Sequence, residues 1–462
     1  MHQPPSANDR YDVVIVGAGV SGASQAYALA AYSDVQRILV IEKEETAGAI
    51  NSLPTNNSQT LHEGDIETNY TLEKALSVKH KASFTRVYVT QKNNEGLYLR
   101  SPKMVLGVGE KEYAFVAERY ETFKKYYPGI ERREKDMLEA AEQRICTGRN
   151  PNQKIIALYN PDGLTINYQR LAQSLIEDAQ NSARKRGATC DVLYGVRAKN
   201  IQREKGGWTL SAGKRLVGAQ FLSIAAGAHS LLFAKKMGIP DAKCISLLPV
   251  AGNFYYTPKY LSAKVYTVQN PKLPFSAVHG DPDILHGDRT RFGPTTRIVF
   301  MLERRHYNTV VDFFATLSPF FKSLIAYTRI VFDKDFFYYA FKHNVLFQVP
   351  LLGNYLFWCE AKKIIPSLKR QEVRLARGQG GVRPQIVDTR SKEPLNLGEA
   401  KLSADGVLFN ITPSPGATTS VYNGLVDAQK IATALGSVYN LKALEKDFGR
   451  TLIQYIHTQR RG

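Results

Sequence analysis

Residues 11–43 read YDVVIVGAGVSGASQAYALAAYSDVQRILVIEK, and the order of residue types along them predicts a nucleotide-binding crevice. Residues 13–16 form a short β-branched apolar run, the pattern of a buried strand. Gly17, Gly19 and Gly22 follow in G-x-G-x-x-G spacing. Residues 23–32 are alanine-rich and suit a helix. Residues 37–41 predict a second strand, with Glu42 at its end. Each glycine has its own task in such a unit. Gly17 permits the tight turn, Gly19 lets the backbone approach a pyrophosphate, and Gly22 lets helix and strand pack closely. The helix start presents N–H groups to the phosphates. Glu42 is placed to accept hydrogen bonds from a ribose diol. The glycine spacing alone is weak evidence. The flanking strand, helix and acid supply the context that makes it specific.

The chain has 462 residues, too many for one small core, so two domains are expected. Its 44% hydrophobic and 22% charged content is that of a folded globular protein. The 61 Lys+Arg against 42 Asp+Glu leave a formal charge of +19, which favours an anionic partner or simply a basic surface. The four cysteines, Cys146, Cys190, Cys244 and Cys359, are scattered without a C-x-x-C pair, so neither zinc nor a disulfide framework is indicated. That usage fits a reducing compartment. Residues 1–10 carry no apolar segment of a secretory signal. No uninterrupted apolar run reaches the length that spans a bilayer.

Outward from the glycine unit, residues 44–80 begin as an extended polar loop with Asn56, Asn57 and His62 as candidates for contact with a cofactor. Residues 84–91 and 96–100 read as strands, and 113–126 as a helix. Residues 161–189 carry a helix stopped by Gly187. Residues 221–226, Gly227 and a helix over 230–237 repeat the strand–glycine–helix step of the N-terminus. A third such step ends at Gly416 and Ala417 before a helix over 418–435. The predicted fold class is therefore α/β: a Rossmann-like nucleotide-binding domain with a second α+β substrate domain. Residues 1–80, 161–245 and 371–462 are assigned to the first, and 81–160 with 246–370 to the second. Within the second, His279, Asp281, His286, Asp288, Arg289 and Arg291 cluster over 273–296. Their spacing matches no metal signature and suits a polar substrate pocket better. Residues 306–370 are crowded with Phe and Tyr among scattered Lys and Arg. Two readings stand: helices at a membrane interface, or an aromatic core.

Four places carry a resemblance to the malate:quinone oxidoreductases, flavoproteins of the glycine oxidase and L-2-hydroxyglutarate dehydrogenase structural group. They are Gly17, Gly19, Gly22 and Glu42; the loop from Asn56 and Asn57 through His62 to Asn69, Tyr70 and Thr71; Val278-His279-Gly280-Asp281 with Phe292-Gly293-Pro294; and Arg383, Gln385 and Ile386 with Ser414-Pro415-Gly416-Ala417. Residues 58–61 depart from the family's glycine-rich run, and an insertion separates His279 from Phe292. The resemblance implies that the first domain is a Rossmann-like FAD-binding domain of the glutathione-reductase type, with FAD held by Gly17, Gly19, Gly22, Glu42, Asn57, Gly227, Gly416 and Ala417. It implies oxidation of L-malate to oxaloacetate, a step of the tricarboxylic acid cycle, with electrons passed to a membrane quinone. His279 is preferred to His62 as the base, since it lies in the domain expected to cover the flavin. Arg383 is the expected carboxylate clamp. A quinone acceptor implies peripheral attachment to the anionic inner face of a cell membrane. The nearest rival is another 2-hydroxy-acid or amino-acid flavoenzyme, such as an L-2-hydroxyglutarate dehydrogenase. A pyridine-nucleotide-dependent flavoprotein is disfavoured by the single G-x-G-x-x-G, and a nucleic-acid partner by the absence of any basic–aromatic motif.

Overall fold

A computed structural model describes residues 9–269, 278–391, 395–396, 400–411 and 415–458. Ser414 and residues 273–277 of the expected pocket segment lie outside the described residues. Five strands run parallel in the order Val407–Ile411, Arg215–Ile224, Arg10–Val16, Arg37–Ile41, Thr189–Leu193. Parallel strands are covered on both faces, which is why Val13, Val14 and Ile15 are all fully buried rather than alternating. Ala400–Ala404 adds an antiparallel edge. Gly207–Ala212 and Ala198–Glu204 hang as a hairpin from Arg215–Ile224, turning at Gly206 and Gly207, both with positive φ. Helix Val20–Tyr32 is wedged between helices Tyr168–Lys185 and Ser420–Ala434. Its Ala23, Ala26, Ala28 and Ala30 are buried, and small side chains let the three helices approach closely.

A second sheet has the order Arg374–Leu375, Tyr255–Pro258, Arg289–Gly293, His279–Pro282, Lys264–Thr267, Lys103–Val108, Ile155–Asn160, Glu131–Glu134. A smaller one joins Ile245–Ala251 to Val382–Asp388 over seven register pairs. The C-terminal third of the chain thus contributes to each of these three sheets, while Tyr98–Arg100 and Leu164–Ile166 pair as a separate ribbon. Residues 84–91 are not a strand: they belong to helix Leu72–Lys92. Thr85, Val87, Val89 and Thr90 carry the β-branched signal of a strand. The helix prevails because Thr71 caps it, Asn93 ends it in the left-handed region, and Ala75, Val78, Ala82, Thr85 and Val89 line one buried face. Ala82, Phe84, Tyr88 and Val89 pack into the core of the first sheet, so the boundary expected at residue 80 falls inside one helix.

The aromatic stretch forms helices Thr309–Ala315, Phe320–Val331, Lys334–Asn344 and Leu352–Ala361. Its rings divide between core and surface. Phe313, Phe336, Phe347 and Phe357 are core, so for these rings the interface reading of the stretch does not hold. Phe314, Phe320, Phe321, Phe332, Phe337, Tyr338 and Phe341 are exposed, Phe321 at 79% and Phe332 at 84%. Along Phe320–Val331 the buried positions are Ser323, Ala326 and Ile330, one helical stripe, and the apolar residues beside it face outward. Among the described residues no single helix is long and apolar enough to cross a membrane; Thr309–Ala315 and Phe320–Val331 pass by length and composition only as a pair bent by 98°.

Candidate active site

A cavity of about 680 Å³ begins at the glycine turn. Gly17 has φ +105°, and a Cβ there would sit 2.5 Å from the Ala225 carbonyl oxygen. A Cβ on Gly22 would lie 1.9 Å from the Gly17 carbonyl oxygen. Both glycines are therefore required by the fold. Gly19 differs: its nearest neighbour would be Ser52 Oγ at 3.6 Å, and it lines the cavity. It starts helix Val20–Tyr32 without a capping side chain. Glu42 lines the same space, its carboxylate aimed by the Ala18 N–H at 2.7 Å and the Glu44 N–H at 3.0 Å. Burial raises its pKa against those two donors and Lys43. Gly227, Gly416 and Ala417 also line the cavity. Asn57 lines it too, but its amide is spent inside the loop, donating to Asn51 and Leu53 and accepting from Gln59. An open glycine at a helix start, a carboxylate at the second strand's end and a long cavity beyond them fit an FAD molecule.

His62 and Arg383 line the same cavity. His62 Nδ1 is 2.5 Å from Glu67 Oε1, and Nε2 is 3.1 Å from Ser58 Oγ. Burial would raise the Glu67 pKa, but its bond to His62 and the nearby Lys103 outweigh that and lower it. An ionised Glu67 accepts the Nδ1 proton, which leaves the Nε2 lone pair toward Ser58. The His62 backbone N–H donates to Thr418 Oγ1 at 3.1 Å, tying this loop to the turn after Gly416. Arg383 lies on strand Val382–Asp388. Burial lowers its pKa, while the hydroxyls of Tyr266 and Tyr339 work the other way. No carboxylate pairs with it among the described residues. An unpaired guanidinium facing a cavity is poised for a carboxylate ligand.

His279 stands elsewhere. It is 3% exposed and does not line the cavity. Its ring stacks on Tyr266 at 4.5 Å, and Tyr266 bonds through its hydroxyl to Thr60 at 2.7 Å, which does line the cavity. Nδ1 is 2.7 Å from Asp281 Oδ2, yet burial keeps the His279 pKa below its usual value. The expected preference for His279 over His62 therefore has no support from cavity geometry. The residues that sequence reasoning missed are Glu67, Ser58 and Tyr266. Glu67 had a signal: it follows His62 by five residues in HEGDIE, the one short run that pairs a loop histidine with three acids.

Comparison with known proteins follows the same lines. The model of the malate:quinone oxidoreductase family matches residues 9–430. A probable malate:quinone oxidoreductase of Campylobacter jejuni is 40% identical over 447 residues, covering 94% of this chain and 98% of that protein. The malate:quinone oxidoreductase of Helicobacter pylori is 39% identical over 449 residues, covering 95% and 97%. Among solved structures, the FAD-bound L-alpha-glycerophosphate oxidase of Mycoplasma pneumoniae aligns with a TM-score of 0.62 at 14% identity, covering 92% of this chain and 95% of that one. Glycine oxidase of Geobacillus kaustophilus aligns with a TM-score of 0.61 at 18% identity, with the same coverage. At these identities the likeness is one of fold, that of the FAD oxidases.

Proposed function

We infer the activity from one premise: the chain belongs to the malate:quinone oxidoreductase family. It oxidises L-malate to oxaloacetate and passes the electrons to a quinone. The L-2-hydroxyglutarate dehydrogenase alternative is not favoured. Our reading of the cavity places FAD along it, with the adenosine at Glu42 and the pyrophosphate at Gly19. When bound, FAD supplies the acceptor for the hydride on C2 of malate. The protein's own residues do the rest. Arg383 grips a substrate carboxylate through its planar fork. His62 Nε2 takes the C2 hydroxyl proton, directly or through Ser58 Oγ, and ionised Glu67 stabilises the imidazolium that results. The observation that carries this reading is that an unpaired arginine and a carboxylate-oriented histidine face the cavity that Gly19 opens onto. Under anaerobic conditions L-malate should bleach the flavin band, and a short-chain quinone should restore it where NAD does not. A flavin that stays oxidised under malate removes the substrate assignment; a strict need for NAD removes the reaction class.

The clamp has its own test. Arg383→Ala should raise the KM for malate roughly 10- to 100-fold, the worth of a hydrogen-bonded charge pair. Flavin content should not change. Arg383→Lys should recover only part of the loss, since an ammonium lacks the fork. Wild-type KM in the alanine variant would move the clamp elsewhere.

Peripheral attachment to the cytoplasmic face of a membrane completes the proposal. A quinone resides in the bilayer, so the enzyme must reach it. Phe320, Phe321, Leu324, Ile325 and Phe332 project from one helix with Lys322 and Arg329 beside them, and Phe337, Tyr338 and Phe341 project from the next. Rings and basic side chains mixed on one face suit the headgroup region, at about 1 kcal/mol for each Lys or Arg near anionic lipid. The protein should co-sediment with vesicles containing phosphatidylglycerol and release in high salt. Changing Phe320, Phe321 and Lys322 together to Ser should abolish that binding. All three are exposed, so folding and flavin content should survive. Undiminished binding by the triple variant would reject this surface.

A further inference from the structure

The loop that carries Asn57, Ser58, Thr60 and His62 rests on a row of buried charges. Lys103, Lys264, Asp281 and Arg291 lie on four adjacent strands of the second sheet, and all four are 0% exposed. Lys264 is in register with Lys103 on one side, and Asp281 with Arg291. The cations point at backbone carbonyls of the loop. Arg291 donates to Pro54 O at 3.0 Å and Asn57 O at 2.9 Å. Lys264 Nζ donates to Ser58 O at 3.1 Å, and Lys103 Nζ to Leu61 O at 3.2 Å. Burying three cations is costly unless they are paired, and here the pairing is uneven. Lys103 has Glu63 at 2.8 Å and Asp65 at 2.9 Å. The nearest carboxylate to Lys264 is Asp281 at 3.8 Å.

We propose that Lys264 is a positioning residue for the reaction: its ammonium, held on the Ser58 carbonyl, fixes the Ser58–His62 hydrogen bond and so aims the base. The proposal rests on the reading of His62 as that base. The Ser58 carbonyl accepts from Lys264 Nζ and, also at 3.1 Å, from Thr60 Oγ1 two residues on, while its hydroxyl meets His62 with Tyr266 beside it. Lys264 is the donor that comes from the sheet, so its release leaves the carbonyl tied only to its own loop and frees the hydroxyl to swing. Lys264 is also the member of the row whose charge is least secure. Burial and Arg291 push its pKa down to about 8 against Asp281 and Asp283. Those residues, with Lys103 and His279, are the charged and titratable groups facing it from the neighbouring strands. On the loop side Glu63 and Asp65 are bound to Lys103, and Glu67 to His62. Lys264 is thus charged below about pH 8 and loses its proton above it, so the rate should fall as pH rises through that range.

The test uses the flavin-loaded enzyme with malate and a soluble acceptor. Lys264→Met should lower kcat at least 10-fold with little change in KM, keep its flavin, and lose the alkaline limb of the pH profile. Lys264→Arg should restore much of the rate and carry that limb beyond the range of lysine titration. In the flavin-free protein, hydrogen exchange over residues 54–62 should be faster in the Met variant and near wild type in the Arg variant. If the Met variant does not fold, the Arg variant's pH profile decides: an unmoved limb overturns the proposal. Wild-type kcat and an intact limb in Lys264→Met overturn it as well. A His62→Ala control separates the two levels. Should that control be inactive while Lys264→Met is normal, only the role of Lys264 falls; should the control be fully active, the base assignment itself falls.

Discussion

His62→Ala should slow the reduction of flavin by L-malate by about two to four orders of magnitude, the usual worth of a placed general base. Flavin content should be unaffected, because in our reading Gly19 and Glu42, not His62, hold the pyrophosphate and the adenosine. Glu67→Gln should fall between the variant and wild type. It keeps a hydrogen-bonding partner for His62 but removes the negative charge that stabilises the imidazolium. His279→Ala is the informative contrast. His279 lies behind Tyr266 and Thr60, so its loss should act through packing: roughly 1–3 kcal/mol of stability and a modest change in rate. Stopped-flow reduction traces for the three variants decide the matter. Wild-type reduction in His62→Ala, with a collapse in His279→Ala, would reverse the assignment.

The nucleotide half of the fold was legible because its signals are local. In residues 11–43 one short stretch holds the strand, the turn, the helix and the acid, and each constrains the others. Helix Leu72–Lys92 shows where locality misleads. Its β-branched residues say strand, and the helix shows only when Thr71 and Asn93 are seen to cap it and one face to bury against the first core. The part of the cavity proposed to be catalytic was half legible. Arg383 and His62 could be named from residue type and neighbourhood, but the choice between His62 and His279 turns on which ring reaches the cavity. That depends on Tyr266 lying between strand His279–Pro282 and the loop, a contact no spacing encodes. The charge row was invisible for the same reason. Lys103, Lys264, Asp281 and Arg291 become neighbours only through the register of four strands. The aromatic stretch could not be given whole to surface or core because its helices bury some rings, Phe313, Phe336 and Phe357 among them, and expose others such as Phe321, Phe332 and Phe337.

Gly19→Val should give a folded, colourless protein, and Gly22→Ala a misfolded one. The two glycines belong to the same motif, yet their surroundings demand opposite outcomes. At Gly22 a single methyl would be driven to 1.9 Å from the Gly17 carbonyl oxygen, with Ile15 Cγ2 at 3.3 Å behind it. Neither the turn nor the strand can retreat without opening the parallel sheet, so the variant should lose the cooperative fold. At Gly19 the backbone is extended, φ −66° and ψ 173°, a conformation open to any residue. Nothing stands nearer to its Cβ than Ser52 Oγ at 3.6 Å. Valine there costs the helix start about 1 kcal/mol and leaves the fold intact. Its branched side chain, however, would fill the approach that a pyrophosphate needs, and the close contact between phosphate oxygens and the helix start would be lost. Thermal denaturation, the visible spectrum and FAD titration of the flavin-free protein separate the two effects. The expected result for Gly19→Val is a melting temperature within a few degrees of wild type, about 4 °C per kcal/mol at most for a domain of this size, with no flavin band and no saturable uptake of added FAD. A yellow Gly19→Val with full occupancy would mean that the phosphates lie away from the helix start, and the cofactor's course along the cavity would have to be redrawn from Glu42.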